Sequence, residues 1–290
     1  VYSASGYYML RSAWGKNSTQ MILKNNNNPD NKWHCQPDNG TFGLYRNGRN
    51  FCPDAGVYSY GGTSESNAER AAFRATKMHN TMTREEANIA DGYMNGKFLK
   101  MDSQNGVDVL VTENKSYSDL THRRAVFFVN KEFFVLVDEG YGAGSTPLVN
   151  LNFSLCPTKE DVVIDANVSG YQYGAHTVFA DNNNMLFKTF VETTTDYKAK
   201  ENTTYVSNKL QEKSGQRRFY QVSTRKPASG AARFITVIHP FGAASDAENL
   251  IIDAKFTDNE GKQPGTFHEN GASVEVKINQ KAYNLSYTLN

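Results

Sequence analysis

The chain has 290 residues, 39% of them hydrophobic and 21% charged, which is enough to bury a sizeable core. Lys and Arg number 31 against 30 Asp and Glu, a net charge of +1, so no global field steers the molecule to nucleic acid or to an anionic membrane. No apolar run approaches the ~18 residues of a membrane span, and the opening VYSASGYYMLRSAW lacks a charged segment followed by an apolar one. The chain therefore reads as soluble, with any export signal already removed.

Along the chain, short runs rich in β-branched and aromatic residues are bounded by Asn, Gly, Asp or Pro, the pattern of strands and turns. GYYMLRSAW (6–14) and QMILK (20–24) come first, followed by the Asn-rich turn or loop KNNNNPDNK (24–32). TFGLYR (41–46) and RNF (49–51) predict a hairpin around Asn47-Gly48. Residues 65–78 alone have helix-forming composition and predict at most a short helix or an ordered loop, with Thr63 or Ser64 as its cap. The strands VDVLVTE (107–113), RRAVFFVN (123–130) and EFFVLVDE (132–139) follow, the last two joined at Asn130-Lys131. GYGAGSTP (140–147) reads as a long loop, and NMLFKTFVE (184–192), ARFITVIHP (232–240), SVEVKI (273–278) and AYNLSYTL (282–289) complete the set. EFFVLVDE and ARFITVIHP are almost continuously apolar, which suits strands covered on both faces. Asn95-Gly96 and Asn270-Gly271 add two expected hairpin loops. With no internal repeat and no linker, the expectation is an all-β, large antiparallel multi-stranded β-sandwich with few or no helices, a single domain over 1–290.

Three cysteines, Cys35, Cys52 and Cys156, are expected as free, partly buried thiols, a Cys35–Cys52 bridge being the alternative. Positive charge is local: Arg46 and Arg49, Arg70 and Arg74, His122-Arg123-Arg124, and Arg217-Arg218. Each is read first as a solvated strand face. RRFYQV (217–222) is the nearest approach to a nucleic-acid surface, and a strand edge explains it equally well, so no nucleic-acid partner is expected. No G-x-S-x-G elbow, P-loop or H-E-x-x-H motif occurs.

The densest chemistry lies in KWHCQPDNGTFGLYRNGRNFCPDAG (32–56), where polar groups flank the hairpin. His34 is a general-base candidate, the alternative being a hydrogen-bonded imidazole that fixes the loop. Asp54 and His79 offer an oxygen and a nitrogen ligand, and Gln36 adds an amide oxygen; a metal set and an ordinary hydrogen-bond network are both open.

WHCQPDNGTFGLYRNGRNFCPDAGVYSY, with YYMLRSAW, RATKMHNT, VTENKSYSDLTHRRAVFFV, FFVLVDE and RFITVIHP, resembles the heparinase II/III family over nearly the whole chain. The resemblance implies the C-terminal β-sandwich of a longer polysaccharide lyase whose N-terminal α/α toroid of helices is absent here. It implies β-elimination on heparan sulfate or heparin: a base takes the C5 proton of a uronic acid, a neutraliser holds the carboxylate, and an acid protonates the departing O4. By motif, His34 corresponds to the base-type histidine, and Gln36, Asp54 and His79 to a structural metal site, zinc with calcium as the alternative. Relatives carry His where this chain has Gln36, and an amide oxygen is a poorer zinc ligand. The acid Tyr and the neutralising Asn belong to the helical part, although Tyr58 and Tyr60 are near enough in sequence to line the cleft. Arg74 and Asn80 are candidates for gripping sulfate or carboxylate, with an internal ion pair as the alternative for Arg74. A periplasmic or secreted location follows from the resemblance. The competing reading is a noncatalytic carbohydrate-binding sandwich using Trp33, Tyr45 and Tyr58 as sugar platforms, or one that supports the helical part.

Overall fold

The computed structural model describes residues 2–28, 35–156, 158–165, 170–258 and 266–289. Its first half runs β1 (Tyr7–Arg11), β2 (Thr19–Lys24), β3 (Phe42–Arg46), β4 (Arg49–Asn50), helix α1 (Ser64–Phe73), β5 (Met82–Arg84), β6 (Gly96–Gln104), β7 (Val107–Tyr117), β8 (Leu120–Val129) and β9 (Phe133–Tyr141). The second half runs β10 (Leu148–Leu155), β11 (Val162–Asp165), β12 (Gln172–Thr177), β13 (Asn184–Val191), β14 (Lys198–Val206), β15 (Gly215–Arg225), β16 (Ala231–Phe241), β17 (Ile252–Thr257), β18 (Gly271–Ile278) and β19 (Lys281–Thr288). The single α-helix among the described residues is the one expected, with the Thr63 side chain accepting from Ser66 N at its start.

A central eight-stranded antiparallel sheet has the order β11-β12-β13-β16-β9-β8-β7-β6. Side chains alternate across its strands, so Val126, Phe128, Phe134 and Leu136 enter one core while Phe127, Phe133, Val135 and Val137 enter another. The first core is closed by the sheets β1-β2-β3-β4 and β14-β15-β10-β5, and the second by β17-β18-β19. The all-β sandwich is therefore met, with a third layer. Covering on both faces is the reason β9 and β16 are apolar nearly throughout.

Turn chemistry sets the register. Asn47 and Gly48 (φ 48° and 78°), Asn130 and Lys131 (53° and 59°) and Asn105 and Gly106 (51° and 79°) all take the left-handed backbone of tight hairpins. The other two Asn-Gly pairs do not make hairpin loops. Gly96 opens β6, where a Cβ would lie 2.5 Å from the Asn25 amide, so the glycine serves a close approach. Gly271 opens β18, and the turn there is Glu269-Asn270, bridged by His268 and Gly271. All three cysteines are free and buried. Residues 29–34, which include Trp33 and His34, lie outside the described residues.

The Phe134 ring stacks on Phe128 at 4.2 Å beneath the Asn130-Lys131 turn. Phe134→Ala is expected to cost about 3–5 kcal/mol, read from the urea unfolding midpoint.

Candidate functional site

The site is built on charges buried under the first core. Because the Asn130-Lys131 turn pairs Val129 with Phe133, Arg124 falls opposite Asp138 and Arg123 opposite Glu139. The readings of Arg123, Arg124 and Arg217 as solvated faces are corrected here: each is buried, as is Arg233. Cross-strand carboxylates are the physical reason for the first two. Arg124 donates to both oxygens of Asp138, at 2.6 and 3.1 Å, and His122 Nε2 lies 2.7 Å from Asp138 Oδ1.

Arg124 Nη1 also donates to the Gly40 and Asn80 carbonyls. Gly40 has φ +83°, and a Cβ there would come within 2.9 Å of Thr81 Oγ1 and 3.0 Å of the His122 ring, so this turn requires glycine. Asn80 is buried. Its amide nitrogen donates to Phe42 O at 2.9 Å, and its side-chain oxygen accepts from Ser154 N at 2.7 Å. Both polar ends are engaged inside the protein, which speaks against the expectation that Asn80 grips a sulfate or carboxylate. Arg74, half-buried at the end of α1, donates to the Cys35 carbonyl and so holds the loop leading to Gln36. No ion pair of Arg74 is seen among the described residues.

Gln36, Asp54 and His79 come together at one end of a cleft of about 340 Å³, whose lining also includes Lys24, Asp38 and Tyr45. His79 Nδ1 lies 3.0 Å from Asp54 Oδ2, and Asp54 Oδ1 accepts from Gly56 N at 2.8 Å and from Gln36 Nε2 at 3.5 Å. Asp38, which stood outside the expected ligand set, joins the group: one potential ligand atom each from Asp38, Asp54 and His79 lie within 4.8 Å of one another. Lys24 pairs with Asp38 at 2.6 Å. Two buried polar atoms, Gln36 Oε1 and His79 Nε2, have no hydrogen-bond partner among the described residues. A bond from His79 Nδ1–H to Asp54 leaves the Nε2 lone pair free, the usual arrangement by which a carboxylate fixes the tautomer of a metal-binding histidine.

Electrostatics follow from this enclosure. Burial pushes the Asp54 carboxyl up, but the His79 ring, the Gly56 N–H and Arg217 outweigh it and hold it well below the ordinary range. Burial pulls His79 down, and Asp54 with Asp38 reverses that, so His79 is raised. Lys24 is likewise lowered by burial and raised on balance by Asp38. Arg217, enclosed completely, is pulled down to about 10 by burial, against the opposing influence of Asp54. Outside the cleft, Tyr58 stacks on Phe73 at 5.4 Å and Tyr60 is exposed.

Fold and site place the chain among large antiparallel β-sandwiches with a polar cleft beside one sheet. It belongs to the family described as Heparinase II/III-like, C-terminal, whose model matches residues 1–247. It is 40% identical over its full length to a heparin-sulfate lyase of Bacteroides thetaiotaomicron, and 33% identical over 95% of its length to one of Pedobacter heparinus. The chain spans about 40% of the length of each. Among solved structures, a crystal structure of heparinase III superposes with a TM-score of 0.89 at 40% identity, covering all of this chain and 42% of that one. A heparan sulfate lyase from Pedobacter heparinus gives 0.82 at 28% identity, covering 99% of this chain and 42% of that one.

His79 and His122 are both enclosed, yet they shift in opposite directions. The raised value of His79 makes its contribution to stability complete below the ordinary 6.5 and lost as pH climbs through the folded value. Burial outweighs Asp138 at His122 and lowers it, as burial also lowers His176 and His239. Those contributions are complete above 6.5 and lost as pH falls. In chelator-treated protein the urea midpoint is therefore expected to peak near pH 6.5. In His79→Gln the decline just above pH 6.5 should disappear while the acid side persists; the later loss above pH 9, where burial holds the Cys52 and Cys156 thiols up, should remain.

Proposed function

We propose that this chain is the β-sandwich portion of a polysaccharide lyase that cleaves heparan sulfate or heparin by β-elimination at the uronic acid. What carries the reading is the likeness over the full chain to heparin-sulfate lyases, at 40% identity in sequence and 0.89 in TM-score. In this reading His34 takes the C5 proton, since a neutral imidazole is the side chain able to accept a proton near neutral pH. That proton is only weakly acidic until the uronate carboxylate is neutralised, and one histidine cannot also protonate the departing O4. The remaining groups come from a helical toroid that faces the sandwich across the cleft, so the sandwich alone has little or no turnover. A polyanion of this size does not cross a membrane, which supports a periplasmic or secreted location. Within the described residues, no helix is long and apolar enough to cross a membrane.

Gln36 Oε1 and His79 Nε2, buried and without partners among the described residues, with carboxylates of Asp54 and Asp38 beside them, suit a divalent cation. Gln36, Asp54 and His79 would hold zinc, with calcium as the alternative because three of the four neighbouring side chains offer oxygen. A bound ion would supply a fixed positive charge that braces this wall of the cleft. Asp54, bonded to Nδ1, keeps the His79 ring oriented for it, and Arg74, by holding the Cys35 carbonyl, keeps Gln36 in reach.

In the full-length protein, heparan sulfate should yield the ultraviolet absorbance of a 4,5-unsaturated uronate, and His34→Ala should lower kcat by roughly 10²–10⁴. Absence of unsaturated product from the unmutated enzyme would reject the lyase reading; undiminished turnover in the variant would reject His34 as base. Elemental analysis should find a zinc or calcium ion that is lost in His79→Ala, with a lower thermal midpoint after chelation.

A further inference from the structure

The two segments that carry Asp54 and His79 lie far apart in sequence, and a single guanidinium spans them. Arg217 on β15 is wholly buried and donates through Nη1 to the carbonyl of Pro53, the residue before Asp54. Through Nη2 it donates to the carbonyl of Met78, the residue before His79, at 3.1 Å. Its Nε donates to Thr204 Oγ1 at 3.2 Å on the neighbouring strand β14. These hydrogen bonds all go to neutral oxygens. On the far side of His79, Arg124 holds the Asn80 carbonyl at 2.7 Å and also reaches Gly40, two residues after Asp38. His79 is thus gripped by its backbone on both sides.

A buried cation that bonds only to neutral oxygens is costly to desolvate, and apolar packing would stabilise the same space at least as well. What an apolar residue cannot do is fix two carbonyls at once in a planar fork of donors. We propose that Arg217 is a positioning residue of the site: it sets the distance between Asp54 and His79, with Arg124 as its counterpart on the opposite side of His79. The inference rests on the reading of Asp54 and His79 as cation-binding groups. Arg217 touches neither substrate nor ion; it acts through the two backbone carbonyls. Loss of such a supporting contact typically weakens metal binding about 10- to 100-fold.

The test uses the chain with Arg217→Met, Arg217→Lys and, as a control, Arg233→Met. Arg233 is equally buried but pairs with Glu192 and packs over Phe256 toward the other core. Zinc affinity is measured by competition with a chromophoric chelator. The side-chain N–H proton of His79 bonded to Asp54 is followed by NMR in chelator-treated, ¹⁵N-histidine-labelled protein, and circular dichroism confirms the fold. Arg217→Met should bind zinc about 10- to 100-fold more weakly and lose or shift the His79 signal. Arg217→Lys, which reaches one carbonyl, should fall between, and Arg233→Met should change neither readout. If Arg217→Met does not fold, Arg217→Lys carries the test by the same two readouts. Wild-type affinity and an unmoved His79 signal in the Arg217 variants would overturn the proposal, as would equal losses in Arg233→Met. If the unmutated chain binds neither zinc nor calcium, the metal reading fails, and the His79 signal alone decides whether Arg217 positions the pair.

Discussion

The arrangement depends on an ion pair that is fully out of water. Asp138 and Arg124 sit side by side on β9 and β8 with His122 on the same carboxylate. Desolvating such charges is repaid only when every donor and lone pair finds a partner. Asp138 takes two donors of Arg124, and the remaining Nη1 of Arg124 is satisfied by the Gly40 and Asn80 carbonyls. The loops are therefore part of the ion pair: moving either one away leaves a buried guanidinium hydrogen without a partner. A stiff sheet thereby dictates where two otherwise irregular segments lie, and those segments carry Asp38 and His79.

The next residues along the same two strands do the equivalent work on the opposite face. Arg123 pairs with Glu139, whose carboxylate also accepts from Tyr287 of β19, and Arg123 reaches the His268 and Glu269 carbonyls ahead of β18. Enclosure raises the Glu139 carboxyl despite the two arginines nearby. Strand periodicity of two thus sends alternate arginines of one Arg-Arg pair to different layers: one organises the cleft, the other fastens the third sheet.

The cleft itself is one-sided. Its lining combines Tyr7, Ile22, Gly43 and Tyr45 of β1 to β3 with the group around Asp54 and His79. The chain's share of about 40% of the length of its lyase relatives accords with a site completed by another domain, as the proposed division of base from acid requires.

Much of the fold was legible in the residues. Turn pairs with left-handed backbone, alternating runs and two nearly continuous apolar strands are local properties, and they led to an antiparallel sandwich with its inner strands covered on both faces. The Asn-Gly pairs at 95–96 and 270–271 were misleading as central turn residues: Gly96 answers a close approach, and the reversal beside Gly271 is centred one residue earlier, on Glu269-Asn270. Candidate ligands Gln36, Asp54 and His79 were readable from residue type and from resemblance. The buried arginines were not read, because a two-residue turn at Asn130-Lys131 would set Arg124 against Val137; only the observed pairing of Val129 with Phe133, one residue longer, sets Arg123-Arg124 against Glu139-Asp138. Arg217 had no signal, since its partners are backbone carbonyls that any sequence supplies. By itself the sequence determined periodicity, turns and chemistry, which depend on neighbours along the chain. Which charges are enclosed, that Asn80 spends its side chain internally, and that Asp38 joins Asp54 and His79 were decided by the tertiary structure alone, because those facts depend on the distance between segments that only inter-sheet packing brings together.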